Sequence, residues 1–146
     1  MKIYFAGPLF SDAEKEFNNR VASQIEKLGY TVFLPQRDGA EHNKPPFDTM
    51  KPDEYRKALF DLDKSQVMAS DIFLFILDGR VPDDGACVEL GLAHLHKQLA
   101  DNDKYLIGLR TGHLSVNLNP MIKMALDRIY ESVPELLDAL KEIKEH

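Results

Sequence analysis

Asp71-Ile-Phe-Leu-Phe-Ile-Leu77 is the stretch that decides the fold. Its apolar run from Ile72 to Leu77 leaves neither face of a strand for water, so both faces must be covered, as in a central strand of a parallel sheet. This is the longest purely apolar run in the chain, far short of the roughly 20 residues that cross a bilayer. Before it, a helix is expected over 53–69, with Tyr55, Leu59, Leu62, Gln66 and Ala69 on one side; after it, the loop from Asp78 to Asp84 leads into a helix over 85–99.

Working outward, Lys2 to Ala6 reads as a strand, and Gly7-Pro8 turns the chain into Ser11-Asp-Ala-Glu14, the spacing of a capping box. Phe17, Val21, Ile25 and Leu28 then recur on one helical face, and Gly29 supplies the stop. Thr31 to Leu34 is a second strand closed by Pro35. From Pro35 to Pro52 the chain is rich in Gly, Pro, Asp, Asn and His without a sustained period, which predicts a long loop of the kind that forms lids and binding sites. Tyr105–Leu109 is a fourth strand, Pro120–Leu126 a short helix, Arg128–Tyr130 a fifth strand and Val133–Lys144 a closing helix. The alternation predicts a flavodoxin-like, doubly wound α/β sandwich of about five parallel strands, with ligands at the strands' carboxyl ends near a topological switch point.

With 146 residues, 44% of them hydrophobic, the chain is expected to form one domain over 1–146. A net charge of −6 offers no footprint for a nucleic-acid backbone or an anionic membrane. The start, MKIYFAGPLF, lacks the pattern of a signal peptide, and the single Cys87 cannot form an intramolecular disulfide; a cytoplasmic setting is expected.

The predicted carboxyl ends of the first three strands deliver Gly7–Phe10, Pro35–Gly39 and Asp78–Glu89, the last being the densest in chemistry. Glu89 falls one to two turns into its helix, with Gly85, Ala86, Leu92 and Ala93 as neighbours at three and four positions. On periodicity alone this favours a surface or salt-bridged glutamate, the alternative being a site where a ligand needs small neighbours. Asp83 and Asp84 read equally well as helix N-caps. His94 and His96, two apart, point to different helix faces, so no metal site is expected. Neither a Gly-x-Gly-x-x-Gly motif nor a P-loop lysine is present, so no phosphate-bearing cofactor is implied. Cys87 reads as a packed helix residue. Asp71 lacks the acidic cluster after the first strand that a magnesium-dependent phosphoacceptor needs.

Taken together, Ile3-Tyr-Phe-Ala-Gly-Pro-Leu-Phe10, Phe33-Leu-Pro-Gln-Arg-Asp-Gly39, Asp63 with Asp71 eight residues on, Asp83-Asp-Gly-Ala-Cys-Val-Glu-Leu-Gly91 and Asn119-Pro-Met-Ile122 resemble the nucleoside 2-deoxyribosyltransferase family over nearly the whole chain. The resemblance reverses the reading of Glu89. It implies base exchange on 2'-deoxynucleosides with free nucleobases as acceptors and no cofactor. Glu89 matches the nucleophile that attacks C1', forming a deoxyribosyl ester as in a retaining glycosidase. Tyr4 matches the residue that orients it, and Asp63 the acid near the departing base. Asp83 matches the 5'-hydroxyl ligand; relatives that cleave nucleoside 5'-monophosphates carry Ser there, and a carboxylate would repel a phosphate.

Asn119 and Met121 match residues lent by a neighbouring subunit, which implies a homo-oligomer with shared sites; Asn117 is a second register. Gln36, Arg37 and Asp38 fall in the base-recognition loop, with Gly7 beside them and Phe10 as a stacking wall. Leu9 stands where some members have Trp. Two other functions stay open: a 2'-deoxynucleoside or 5'-monophosphate N-glycosidase sharing Glu89, and a non-catalytic nucleotide-binding module.

Overall fold

The computed structural model describes residues 1–112 and 117–145. Five strands, β1 (Lys2–Ala6), β2 (Thr31–Phe33), β3 (Ile72–Ile76), β4 (Tyr105–Leu109) and β5 (Arg128–Tyr130), form one all-parallel sheet in the order β2-β1-β3-β4-β5. The strand bounds fall within a residue of those the sequence predicts. Connections run outward from β1 to β2, then reverse to β3, β4 and β5, so the switch point lies between β1 and β3. This is the flavodoxin-like doubly wound arrangement.

Residues alternate across the sheet. One face buries Ile3, Phe5, Ile72, Leu74 and Ile107 with α1 (Asp12–Lys27) and α6 (Val133–Glu145), through Val21, Ile25, Leu136 and Leu140. The other buries Tyr4, Phe33, Phe73, Phe75 and Leu106 with α3 (Pro52–Ala69), α4 (Asp84–Ala100) and α5 (Pro120–Ala125), through Val67, Ala86, Leu90 and Ala93. The capping box is present at α1. Ser11 Oγ accepts from the Glu14 amide (3.1 Å), and the Glu14 carboxylate accepts from the Ser11 and Phe10 amides (2.8 and 2.9 Å), which fixes the turn leaving β1. Gly29 ends α1 at φ +85°, a left-handed conformation costly for other residues.

Two local expectations need correction. The segment from Pro35 to Pro52 is not unbroken loop: α2 (Pro35–Asp38) makes one helical turn, and Phe47–Thr49 a 3-10 turn. A single turn carries no hydrophobic period; it is nucleated by Pro35 in the first turn and by the Asp38 carboxylate accepting from the Leu34 amide (2.9 Å). On α3 the expected apolar side is only partly inward: Val67 is the buried residue, Ala69 is exposed, and Tyr55 and Leu59 line a cleft. The N-terminal half of α3 faces this opening at the strands' carboxyl ends.

Candidate active site

The cleft of about 570 Å³ opens at the switch point, between the turn after β1, α2, α3 and the start of α4. Its floor is β1. Tyr4, fully buried, points its ring toward α4 and donates from Oη to Glu89 Oε1 at 2.7 Å. Burial and the neighbouring carboxylates hold the Tyr4 phenol above its ordinary pKa, so it remains a donor.

Glu89 is carried to this point by the start of α4. The Asp83 carboxylate accepts from the Ala86 amide (2.9 Å) and caps the helix. The Glu89 carboxyl is pushed up to about 7, mainly by burial, with the Asp63 and Asp83 charges adding to the effect and the Tyr4 hydroxyl opposing it. Asp63, on α3, is pushed up to about 6 by burial. Its Oδ1 is buried and has no hydrogen-bond partner among the described residues, and the residue itself lines the cleft.

The rim comes from the turn after β1 and from α2. Gly7 has φ +153°, and a Cβ there would stand 2.8 Å from Ile76 Cβ, so only glycine lets this turn lie against β3. Phe10 is exposed at the mouth. Gln36 is held at both ends of its amide: Nε2 donates to Lys15 O (2.9 Å), and Oε1 accepts from Asn18 Nδ2 (3.0 Å), which also donates to Pro8 O (2.9 Å). One Gln36 N–H and one oxygen lone pair remain for a ligand. The buried Asn18 was not singled out from sequence, yet a polar residue beside Phe17 and one turn before Val21 on the apolar side of α1 is a readable signal.

The structure therefore gathers Tyr4, Gly7, Phe10, Gln36, Asp63, Asp83 and Glu89 around one cleft. Arg37 is not among them, a correction to the sequence expectation. Its guanidinium turns to the outer edge of the sheet, donating to Val32 O (2.9 Å) and pairing with Glu26 (2.8 Å) and Asp38 (2.9 Å). The physical reason is that β2 is an edge strand whose alternate carbonyls face outward, and a five-donor fork satisfies that of Val32 and two carboxylates together. Asn119 and Met121 also lie outside the cleft within one chain. Asn119 caps α5, accepting from the Met121 amide (2.8 Å), and borders a separate hollow with Arg80, Val81, Asn117 and Ile122, while the Met121 side chain is 82% exposed.

Among the described residues, no group of three or more His, Cys, Asp and Glu is arranged to hold a metal ion. His94 instead meets the Ala125 carbonyl (3.3 Å) between α4 and α5. No helix among these residues is long and apolar enough to cross a membrane.

Fold and cleft together define a flavodoxin-like α/β protein with a half-buried pair of carboxyl groups at its switch point. The family model described as nucleoside 2-deoxyribosyltransferase matches residues 3–111, a span that includes every residue lining the cleft, and the chain belongs to that family. Among solved structures, it is similar to a conserved protein from Enterococcus faecalis V583, at 26% identity over 97% of this chain and 98% of the other, with a TM-score of 0.75. It is similar in fold to a 2-deoxyribosyltransferase from the psychrotolerant bacterium Bacillus psychrosaccharolyticus, at 24% identity over 94% and 91% of the two chains, also with a TM-score of 0.75. No curated protein matches the chain.

Proposed function

We propose that this protein exchanges the base of 2'-deoxynucleosides through a covalent deoxyribosyl-Glu89 intermediate. The observation that carries this reading is the 2.7 Å hydrogen bond from buried Tyr4 to Glu89, beside the unpartnered oxygen of Asp63. Tyr4 holds Oε1 and leaves Oε2 to attack C1'. The C1'–N bond breaks, its electron pair leaves with the base, and Asp63 donates a proton to a ring nitrogen. The incoming base then attacks C1' from the vacated side, returns its N–H proton to Asp63 and frees the Glu89 carboxylate.

This sequence needs one proton on the pair of carboxyl groups, with Glu89 ionised. Burial pushes both upward, to about 7 and about 6, so the singly protonated pair prevails between those values. In the free protein that proton rests mainly on Glu89, whose carboxyl stays above that of Asp63 even with the Tyr4 hydroxyl opposing; a base nitrogen that accepts from Asp63 draws the proton there and leaves the charge on Glu89. Asp83 caps α4 with Oδ2 and keeps Oδ1 for the 5'-hydroxyl. Gln36 meets the base edge with its remaining donor and acceptor, Phe10 covers the base face, and Gly7 lets the backbone approach. Asn119 and Met121 act in the site of a neighbouring copy; this is supported by exposed Met121 and Met124 on α5 and Val88, Leu95 and Leu99 on α4, an apolar surface suited to a homo-oligomer. A role in nucleoside salvage belongs to the same proposal, and the single Cys87 fits a reducing, cytoplasmic setting.

The test incubates wild type and Glu89→Ala with 2'-deoxyinosine, with and without adenine, and follows nucleosides and bases by chromatography. Formation of 2'-deoxyadenosine by wild type alone is expected. Hypoxanthine release indifferent to adenine would replace exchange by hydrolysis. If wild type is inert also toward pyrimidine donors and 5'-monophosphates, the catalytic reading is wrong.

A further inference from the structure

The row of side chains that carries Tyr4 differs from the row beside it. Tyr4 pairs in register with Phe33 on β2 and with Phe73 on β3. The three rings stack across the sheet: Tyr4 to Phe33 at 5.6 Å and 17°, Tyr4 to Phe73 at 5.8 Å and 5°. The Lys2 ammonium lies 6.0 Å from the Phe33 ring centroid, and Phe75 meets Phe73 edge-on at 6.3 Å and 78°. One residue earlier, on the opposite face, the equivalent row is Val32, Ile3 and Ile72, wholly aliphatic. Both rows are buried. Burial alone therefore does not call for flat rings, since aliphatic side chains fill the same registers a residue away.

We propose that Phe33 and Phe73 are positioning residues: by stacking on both faces of Tyr4 they set its ring plane and so aim its hydroxyl at Glu89. A phenolic O–H prefers to lie in the plane of its ring, while the torsion about the Cβ–Cγ bond is broad. Between two nearly parallel rings, that plane has one setting. The O–H is thereby confined to that plane, and Glu89 is its partner there. The effect reaches the reaction through Tyr4, because neither phenylalanine lines the cleft. The role rests on the reading of Glu89 as nucleophile.

The experiment compares the full-length wild type with Phe73→Leu, Tyr4→Phe and the double variant, reading the titration of the labelled Glu89 carboxyl by 13C NMR, the melting temperature, kcat and KM. Phe73→Leu is expected to raise the pH at which Glu89 ionises, in the same direction as Tyr4→Phe, and to lower kcat by about three- to tenfold with KM little changed. Adding Phe73→Leu to Tyr4→Phe is expected to move neither quantity further. Should Phe73→Leu not fold, Phe33→Leu on the edge strand takes its place, with Phe33→Tyr, which keeps the ring, expected to behave as wild type. A lowered melting temperature with unmoved Glu89 titration, or an equal shift in the Tyr4→Phe background, would overturn the proposal. Glu89 titrates without substrate, so a wild type inert toward nucleosides would count against base exchange while this comparison still decides the role of the rings.

Discussion

Glu89→Gln should stabilise the protein at pH 8 and change it little at pH 5. In the fold the carboxyl is pushed from its ordinary 4.5 to about 7 by burial and by the charges of Asp63 and Asp83. Between those values the native state keeps a proton that the unfolded chain has released. Stability therefore falls as pH rises through this window, and the full cost is present above pH 7. At about 1.4 kcal/mol for each tenfold change in proton affinity, ionised Glu89 costs the native state about 3 kcal/mol. At pH 5 the same linkage leaves less than about 1 kcal/mol. Glutamine keeps a carbonyl oxygen to accept from Tyr4 and carries no charge, so it removes the cost without emptying the site. For a chain of this size the gain at pH 8 corresponds to a rise in Tm of about 6–12 °C. Thermal melts of both proteins at the two pH values measure it directly. An equal change at pH 5 and pH 8, or a lower Tm at pH 8, would refute the burial argument.

The pH profile of kcat/KM should be bell-shaped, with limbs near about 6 and about 7 belonging to the Asp63–Glu89 pair; Asp63→Asn should remove one limb, and an unchanged bell in that variant would exclude Asp63 from the pair. Arg37→Leu should leave kcat/KM within about twofold while costing about 1 kcal/mol in urea melts through its lost Val32 and Glu26 contacts; a large loss of activity would place the guanidinium at the base after all. Mixing inactive Glu89→Ala and Asn119→Ala should restore part of the activity, because a hybrid assembly contains a cleft with both native residues. Strict additivity of the two inactive preparations would show that each chain works alone.

The sheet was legible because its strands obey local rules. Ile72–Leu77 has no polar side to expose, and β1 and β2 are closed by Gly7 and Pro35, residues with a steric reason to end a strand. Helix α1 was equally readable, since its capping box is a local hydrogen-bond pattern. The turn of α2 was not, because four residues carry no period and its cap is a single Asp38 contact. The Glu89 position shows the limit on the functional side. Periodicity placed it among small neighbours, but its Tyr4 partner lies 85 residues away and only the parallel pairing of β1 brings the two together. Arg37 shows the converse: loop position suggested a ligand contact, whereas the open edge of β2 claimed the side chain.

The two faces of the sheet carry different burdens. Beneath α1 and α6 the core is built mainly from aliphatic rows, with Phe5 among them and Tyr30 and Tyr130 beside the cations of Lys144 and Arg128. Beneath α3 and α4 the chain accepts several costs within one cleft: the left-handed backbone of Gly7, the unpartnered Asp63 oxygen and the desolvated Glu89 carboxyl. Buried Lys104, the unpartnered His96 Nδ1 and left-handed Asp101 break local rules singly elsewhere, whereas three such costs gathered at one cleft mark a site shaped by what it must bind. The aromatic row of Phe33, Tyr4 and Phe73 lies between the two regimes. It packs as core, yet its central hydroxyl is a hydrogen-bond donor aimed at the cleft. Removing that hydroxyl by Tyr4→Phe leaves the row packed and takes away the interaction that lowers the pKa of Glu89, so its effect should appear in the protonation of the Glu89 carboxyl rather than in the core.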